Sequence, residues 1–306
     1  MIQEITNFLS SDIRTVTSIL LCALGLVFSS KAGIVNIGAE GMMLTGAFMG
    51  VLGSYLTGSV WLGVLIAMLS ATAIALIFGF FTITLRADQT VVGTAINTLA
   101  LGLTSTFSRL IFGMNAAPPQ IDSFTPITVP GLSAIPVLGS SLFSQHLPVY
   151  IMYLLIPVCF FVMYKTNLGL KIRSVGENPL ACDTLGLNVH RIRYGTVIFS
   201  GIMAGFGGAF SSLALQSFFT EGMIAGRGYM AVAAVVFGKY NPIGVVGACL
   251  LFGAGEALQY RLQAANTDIP FQFLVMLPYL LTVLALCGLA GRPREPKSMG
   301  QPYPSE

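Results

Sequence analysis

Asn36 and Glu40 are the first residues able to do chemistry against an apolar background. They stand four apart within 33–55 (G-I-V-N-I-G-A-E-G-M-M-L-T-G-A-F-M-G-V-L-G-S-Y), which places both on one face of a helix. An ionisable group in such a segment is costly and usually faces a bundle interior or water. The other reading is a satisfied interfacial group near Lys31. Asn97 and Thr94 make a second polar pair in an apolar run, expected to face inward, either to touch a solute or to bond between helices. Glu256, Gln259 and Gln263 share a face at spacings of three and four, and a structural pair of Glu256 with Arg227 or Arg261 is expected. The third concentration of polar groups is the island 165–193, which holds Lys165, Lys171, Arg173, Arg191 and Arg193 with Glu177, Asp183 and His190. Within it, Gly176-Glu177-Asn178-Pro179 predicts a turn and then a helix start, with Asn178 as cap and Pro179 at the first position. Leu180, Ala181, Thr184 and Leu185 would share one face before Gly186 ends the helix. A short surface helix without catalytic groups reads as a docking knob.

Enzyme chemistry finds no foothold. G-x-x-x-x-G-K-[ST], H-E-x-x-H and G-x-S-x-G are all absent, and the histidines are His146 and His190 alone. No catalytic residue is expected, and an enzyme or scaffold role is disfavoured. The cysteines Cys22, Cys159, Cys182, Cys249 and Cys287 are scattered without a C-x-x-C pair. They read as small hydrophobes, so no metal site is expected. No Asp/Glu relay of the kind many pumps carry is evident.

The elements that must position these groups are membrane helices. The 306 residues are 55% hydrophobic and 9% charged, and several apolar runs approach the bilayer-crossing length of about 20 residues. The fold class is an all-α polytopic membrane protein of about nine transmembrane helices, eight or ten being allowed. Continuous apolar runs argue against a β-barrel. The spans expected are 14–30, 33–55, 60–85, 90–112, 149–164, 194–215, a short 229–237, 244–262 and 271–289. The chain is one membrane-spanning domain, 1–306: a bundle over 14–290, the loop 165–193 and a polar tail, 291–306. Residues 1–13 read as a polar lead, and no cleavable signal peptide is expected. The net charge of +3 sits mainly in loops and signals topology, not nucleic-acid binding. Basic loops stay cytoplasmic, so Lys31, Arg86, the island and the tail should lie inside. Residues 113–147, without Lys or Arg, and the N-terminus should lie outside. Dense glycine in 33–53 permits close helix packing or a broken helix.

Three stretches carry a family likeness: G-I-V-N-I-G-A-E-G-M-M-L-T-G-A-F (33–48), V-G-E-N-P-L-A-C-D-T-L-G-L-N-V (175–189) and G-R-G-Y-M-A-V-A-A-V-V-F-G-K-Y-N-P-I-G (226–244). In this order they resemble ABC-importer permeases of the branched-chain amino acid, ribose and nucleoside type. The E-G-M-M and G-R-G-Y-M-A-V-A forms are most similar to purine nucleoside permeases. The resemblance implies that 175–189 is a cytoplasmic coupling loop, with Gly176, Glu177, Asn178, Pro179, Ala181, Cys182 and Gly186 engaging the ATPase. Asn36, Glu40, Thr94 and Asn97 are candidate residues of the substrate path. The resemblance also implies separate ATPase subunits that bind the ATP, so this chain holds no cofactor. A second paralogous permease, an external substrate-binding lipoprotein and a nucleoside-like small molecule complete the set, in a bacterial cytoplasmic membrane. A sugar or branched-chain amino acid permease is the alternative within the family. An ion-coupled secondary transporter is the rival outside it. A pseudo-symmetric repeat is implied as well, though 38–46 and 225–233 are only faintly alike.

Overall fold

The computed structural model describes residues 2–113, 121–128, 138–264, 271–276, 280 and 295–303. Helices dominate: α1 (Ile2–Lys31), α2 (Ala39–Thr57), α3 (Val60–Gly79), α4 (Gln89–Phe112), α5 (Leu138–Phe143), α6 (Leu147–Lys165), α7 (Asn167–Glu177), α8 (Pro179–Thr184), α9 (Val189–Phe210), α10 (Arg227–Phe237), α11 (Pro242–Ala264) and α12 (Phe271–Val275). Widened π-helical turns extend α3 through Phe80–Thr84 and α9 through Ser211–Gln216. A two-stranded antiparallel ribbon pairs β1 (Pro126–Thr128) with β2 (Ser144–His146).

Six of these helices are long and apolar enough to cross a membrane: Thr6–Lys31, Val60–Thr84, Gln89–Phe112, Leu147–Lys165, Val189–Gln216 and Pro242–Gln263. The chain is thus a multi-pass helical membrane protein. The expected span 271–289 lies mostly outside the described residues. Two other expectations change. Residues 1–13 are not a separate lead but the first turns of α1, because nothing from Ile2 to Lys31 includes a proline to stop the helix. The span expected at 33–55 is broken at its start: Gly33 has φ +87°, and the backbone from 34 to 36 is not helical. Asn36 therefore precedes α2 and does not share a helix face with Glu40.

α1, α2 and α9 form the centre. α1 is buried along nearly all its length, whereas only about a third or less of α3, α4 and α6 is buried. Leu65, Leu69, Leu110, Leu154 and Phe161 are among the apolar side chains they turn outward. Such a surface suits lipid and not water. Glycine brings α2 and α9 together: a Cβ on Gly46 would sit 2.7 Å from Gly205 Cα, and one on Gly208 would collide with the Met43 carbonyl. One buried ion pair joins α10 to α11, with Arg227 Nη2 donating to Glu256 Oε1 at 2.6 Å and to Tyr260 at 3.1 Å. This is the structural pair the sequence suggested.

The bundle has two distinct ends. At the Lys31 end, Thr84 and Tyr194 share a hydroxyl–hydroxyl bond of 2.6 Å, and Gly300 N–H donates to the Gly33 carbonyl at 3.0 Å. Residues 84–88, 165–193 and 295–303 therefore gather there. At the Arg14 end, Gln145 accepts from Arg14 Nε at 2.9 Å and donates to Ser10 at 2.9 Å. This grouping is the one the loop charges called for.

Candidate docking end and solute path

At the Lys31 end, α7 and α8 form from local caps. Thr166 Oγ1 accepts from Gly169 N–H at 3.2 Å, Asn178 Oδ1 from Ala181 N–H at 3.1 Å, and Asn188 Oδ1 from Arg191 N–H at 2.9 Å. Pro179 opens α8, and Gly186 follows it with φ +79°. The island is more helical than a loop with one knob: α7 precedes the knob as a helix of its own.

α8 presents Leu180 and Leu185, 58% and 80% exposed, with Ala181, Thr184 and Glu177 exposed nearby. Its opposite side is anchored, because Cys182 is buried with Val175, Val189 and Tyr303. Burial raises the Cys182 thiol pKa. Gly176 is also buried, and a Cβ there would collide with the Lys31 carbonyl. Gly176 and Cys182 therefore seat the knob and present no surface of it.

Residues 295–303, read from sequence only as a polar tail, hold this end together. Ser298 donates to the Gly176 carbonyl through its N–H at 3.0 Å and its hydroxyl at 2.7 Å. Arg193, 1% exposed, donates to the Gln301 carbonyl at 3.3 Å. Tyr303 donates to Asp183 Oδ2 at 2.7 Å. Glu295 bonds Tyr240, and burial first and that carboxylate second push the Tyr240 phenol up to about 12. A cavity of about 240 Å³ lies between Asn178, Pro179 and Leu180 on one wall and Lys297 and Gln301 on the other. Nothing in the composition of 295–303 foretold these contacts, which depend on single side chains meeting a distant part of the chain.

The interior polar groups converge on helix starts. Asn97 donates to the Ile37 carbonyl at 3.1 Å and to Tyr229 at 2.8 Å, and accepts from Gly41 N–H at 2.8 Å. It ties α4 to the break before α2 and to α10. Asn36, 2% exposed, donates to Ser200 at 2.9 Å. The Glu40 carboxylate accepts from Gly226 N–H at 2.8 Å and Gly228 N–H at 2.7 Å, at the positive end of α10. Of the two readings of Glu40, the bundle interior holds, and its partner is α10 and not Lys31. Lys31 lies over the Tyr240 ring, 5.8 Å from its centroid.

Thr94 does not join Asn97 in the interior. It is exposed and bonds back to the Thr90 and Val91 carbonyls. It begins a stripe: Thr94, Thr98, Leu101, Ser105 and Arg109 recur at three- and four-residue steps and so share one face of α4. All but the half-buried Ser105 are exposed. Arg109 makes a two-armed pair with Glu221, both contacts at 2.7 Å, with the side chains 56% and 41% exposed. The guanidinium holds the Glu221 carboxyl below the usual carboxylate range. An open ion pair and hydroxyls on a membrane helix require water or another subunit beside them and not hydrocarbon. Three- and four-residue recurrence of Thr, Ser and Arg was the available signal, diluted by the apolar residues between them.

Broken helices that meet at polar side chains, and a knob at one end, describe a transport subunit. Residues 9–286 match the family described as branched-chain amino acid transport system / permease component, and the chain belongs to that family. It is similar to the guanosine ABC transporter permease protein NupQ of Bacillus subtilis (strain 168), 41% identical over 99% of this chain and 98% of NupQ. The nucleoside ABC transporter permease protein NupC of Lactococcus lactis subsp. cremoris (strain MG1363) is 36% identical over 94% of this chain and 93% of its own. The putative glucose ABC transporter permease protein TsgC13 of Haloferax volcanii is 35% identical, covering 92% and 90%. A second B. subtilis permease, NupP, matches at 26% over 80% of this chain and 72% of its own.

Proposed function

We propose that this chain is the membrane-spanning permease of an ABC importer for nucleosides, paired with a paralogous second permease. The observation that carries the reading is the end-to-end likeness to NupQ. That NupQ and NupP both match, at such different identities, favours two unlike permeases over two copies of this one. Separate ATPase subunits bind and hydrolyse ATP. An extracytoplasmic lipoprotein delivers the solute, and the Lys31 end faces the cytoplasm of a bacterial cell.

In this reading α8 sits in a groove of the ATPase with Leu180 and Leu185 as its apolar contacts. Gly176 and Cys182 hold the knob to the bundle from behind. The solute moves along the face of α4 that carries Thr94, beside the Asn97–Glu40 junction. The Arg109–Glu221 pair lies where α4 ends.

The test is Leu185→Arg. Its side chain is open, so the fold is untouched while an apolar contact becomes a charge. Uptake of labelled guanosine is expected to fall about tenfold or more, as for a central interface residue, and ATPase subunits are expected not to co-purify. Unchanged uptake with the ATPase still bound would remove the docking assignment. The likeness to TsgC13 favours a sugar as the second reading. Excess adenosine should compete with guanosine uptake and excess glucose should not; the reverse result selects the sugar.

A further inference from the structure

The groove between α6, α7 and α9 has the size, lining and rim charge of a lipid site. Its volume is about 550 Å³. Phe28, Leu155, Val158, Val162, Ile192 and Phe199 make its walls apolar, and it opens on the side of the bundle that faces lipid. Lys171 and Arg191 also line it, both exposed, and among the described residues neither pairs with a carboxylate. α7 sets the 57%-exposed Leu168 near Lys171 at the groove, with Lys165 and Arg173 close by in the chain. The Arg173 guanidinium lies 5.1 Å from the Tyr164 ring centroid, so that cation is held at the same level.

We propose that this groove binds one anionic phospholipid, with an acyl chain along α6 and α9 and its phosphate between Lys171 and Arg191. The argument for this occupant is complementarity. An apolar slot open to hydrocarbon takes a chain, and unpaired cations at its mouth take a phosphate. A zwitterionic lipid fills the slot as well but adds an ammonium beside two cations. A peptide segment would leave backbone groups unpaired against an apolar wall. Gly195 supplies the room, since a Cβ placed there meets nothing within 4 Å.

The full chain, purified in neutral detergent, is mixed with phosphatidylglycerol or phosphatidylcholine. Bound lipid is counted by native mass spectrometry, and thermal unfolding is followed in parallel. Two basic contacts should favour phosphatidylglycerol by about tenfold or more. Lys171→Gln/Arg191→Gln should erase that preference, while Lys297→Gln, away from the groove, should keep it. Gly195→Trp, which fills the slot and leaves both cations, should lower retention of either lipid at least about fivefold without lowering the melting temperature of the lipid-free chain. Equal retention of the two lipids by the unaltered chain overturns the proposal. So does full retention in Gly195→Trp, or equal protection by inorganic phosphate alone, which would make the site one for a free anion.

Discussion

Asn97 ties α4 to two other parts of the bundle: the Ile37 carbonyl and Gly41 N–H at the start of α2, and the Tyr229 hydroxyl of α10. Asn97→Ala would leave the Gly41 N–H and the Ile37 carbonyl without that partner, at about 1 kcal/mol or more for each. The expected result is a melting temperature lowered by several degrees and guanosine uptake reduced about tenfold at equal membrane abundance. Wild-type values in both would show that the junction contributes nothing. Asn97 and Glu40 were visible in the sequence because a carboxamide or carboxylate in hydrocarbon must have a purpose. Their partners were not visible, since backbone N–H groups of a distant helix leave no mark in composition. Thr94 shows the converse. A threonine satisfies itself on its own helix, so its type does not say whether it faces in or out.

The elements were legible where one physical requirement dominates. Bilayer-length apolar runs gave α3, α4, α6, α9 and α11, and cap chemistry gave α8. The break at 33–38 was legible only as a permission, because glycine allows both a tight helix crossing and a kink. The close approach of α2 and α9 decides in favour of packing further along. Gly208→Val should place a side chain against the Met43 carbonyl and cost about 1–3 kcal/mol or more. Lower yield and a lower melting temperature of the purified chain would register it; unaltered stability would mean that the helices separate more easily than their contact implies. At the Lys31 end, Tyr303→Phe removes one bond to Asp183 and keeps the ring. The fold should survive, and ATP hydrolysis by the assembled importer should remain within about twofold of normal. Uptake per ATP should drop if residues 295–303 keep the knob rigid against α1. An unchanged ratio would reduce the contact to a local stabiliser.

For the whole molecule, the charge asymmetry of the loops anticipated which segments share an end, and contacts far apart in sequence join them as expected. The number of crossings was harder to read, because α2 and α10 are neither clear spans nor loops. Sidedness is best probed at Leu185. Cys182, 5% exposed, is a poor target for labelling, whereas Leu185→Cys is open. An impermeant maleimide should modify Leu185→Cys in inside-out vesicles and not in intact cells; the opposite pattern reverses the orientation. Finally, α10 has 11 residues, about 16 Å of helix, roughly half of a hydrocarbon core. The stretch that enters it carries Glu221, and the helix itself begins with Arg227. During synthesis this stretch has no favourable route into lipid alone. α2, already made, can offer Glu40, whereas Glu256 arrives only with α11, so the Arg227 pair closes last. Lesions in either carboxylate should then surface as a biogenesis defect, with degradation of the nascent chain, before any defect in transport can be measured.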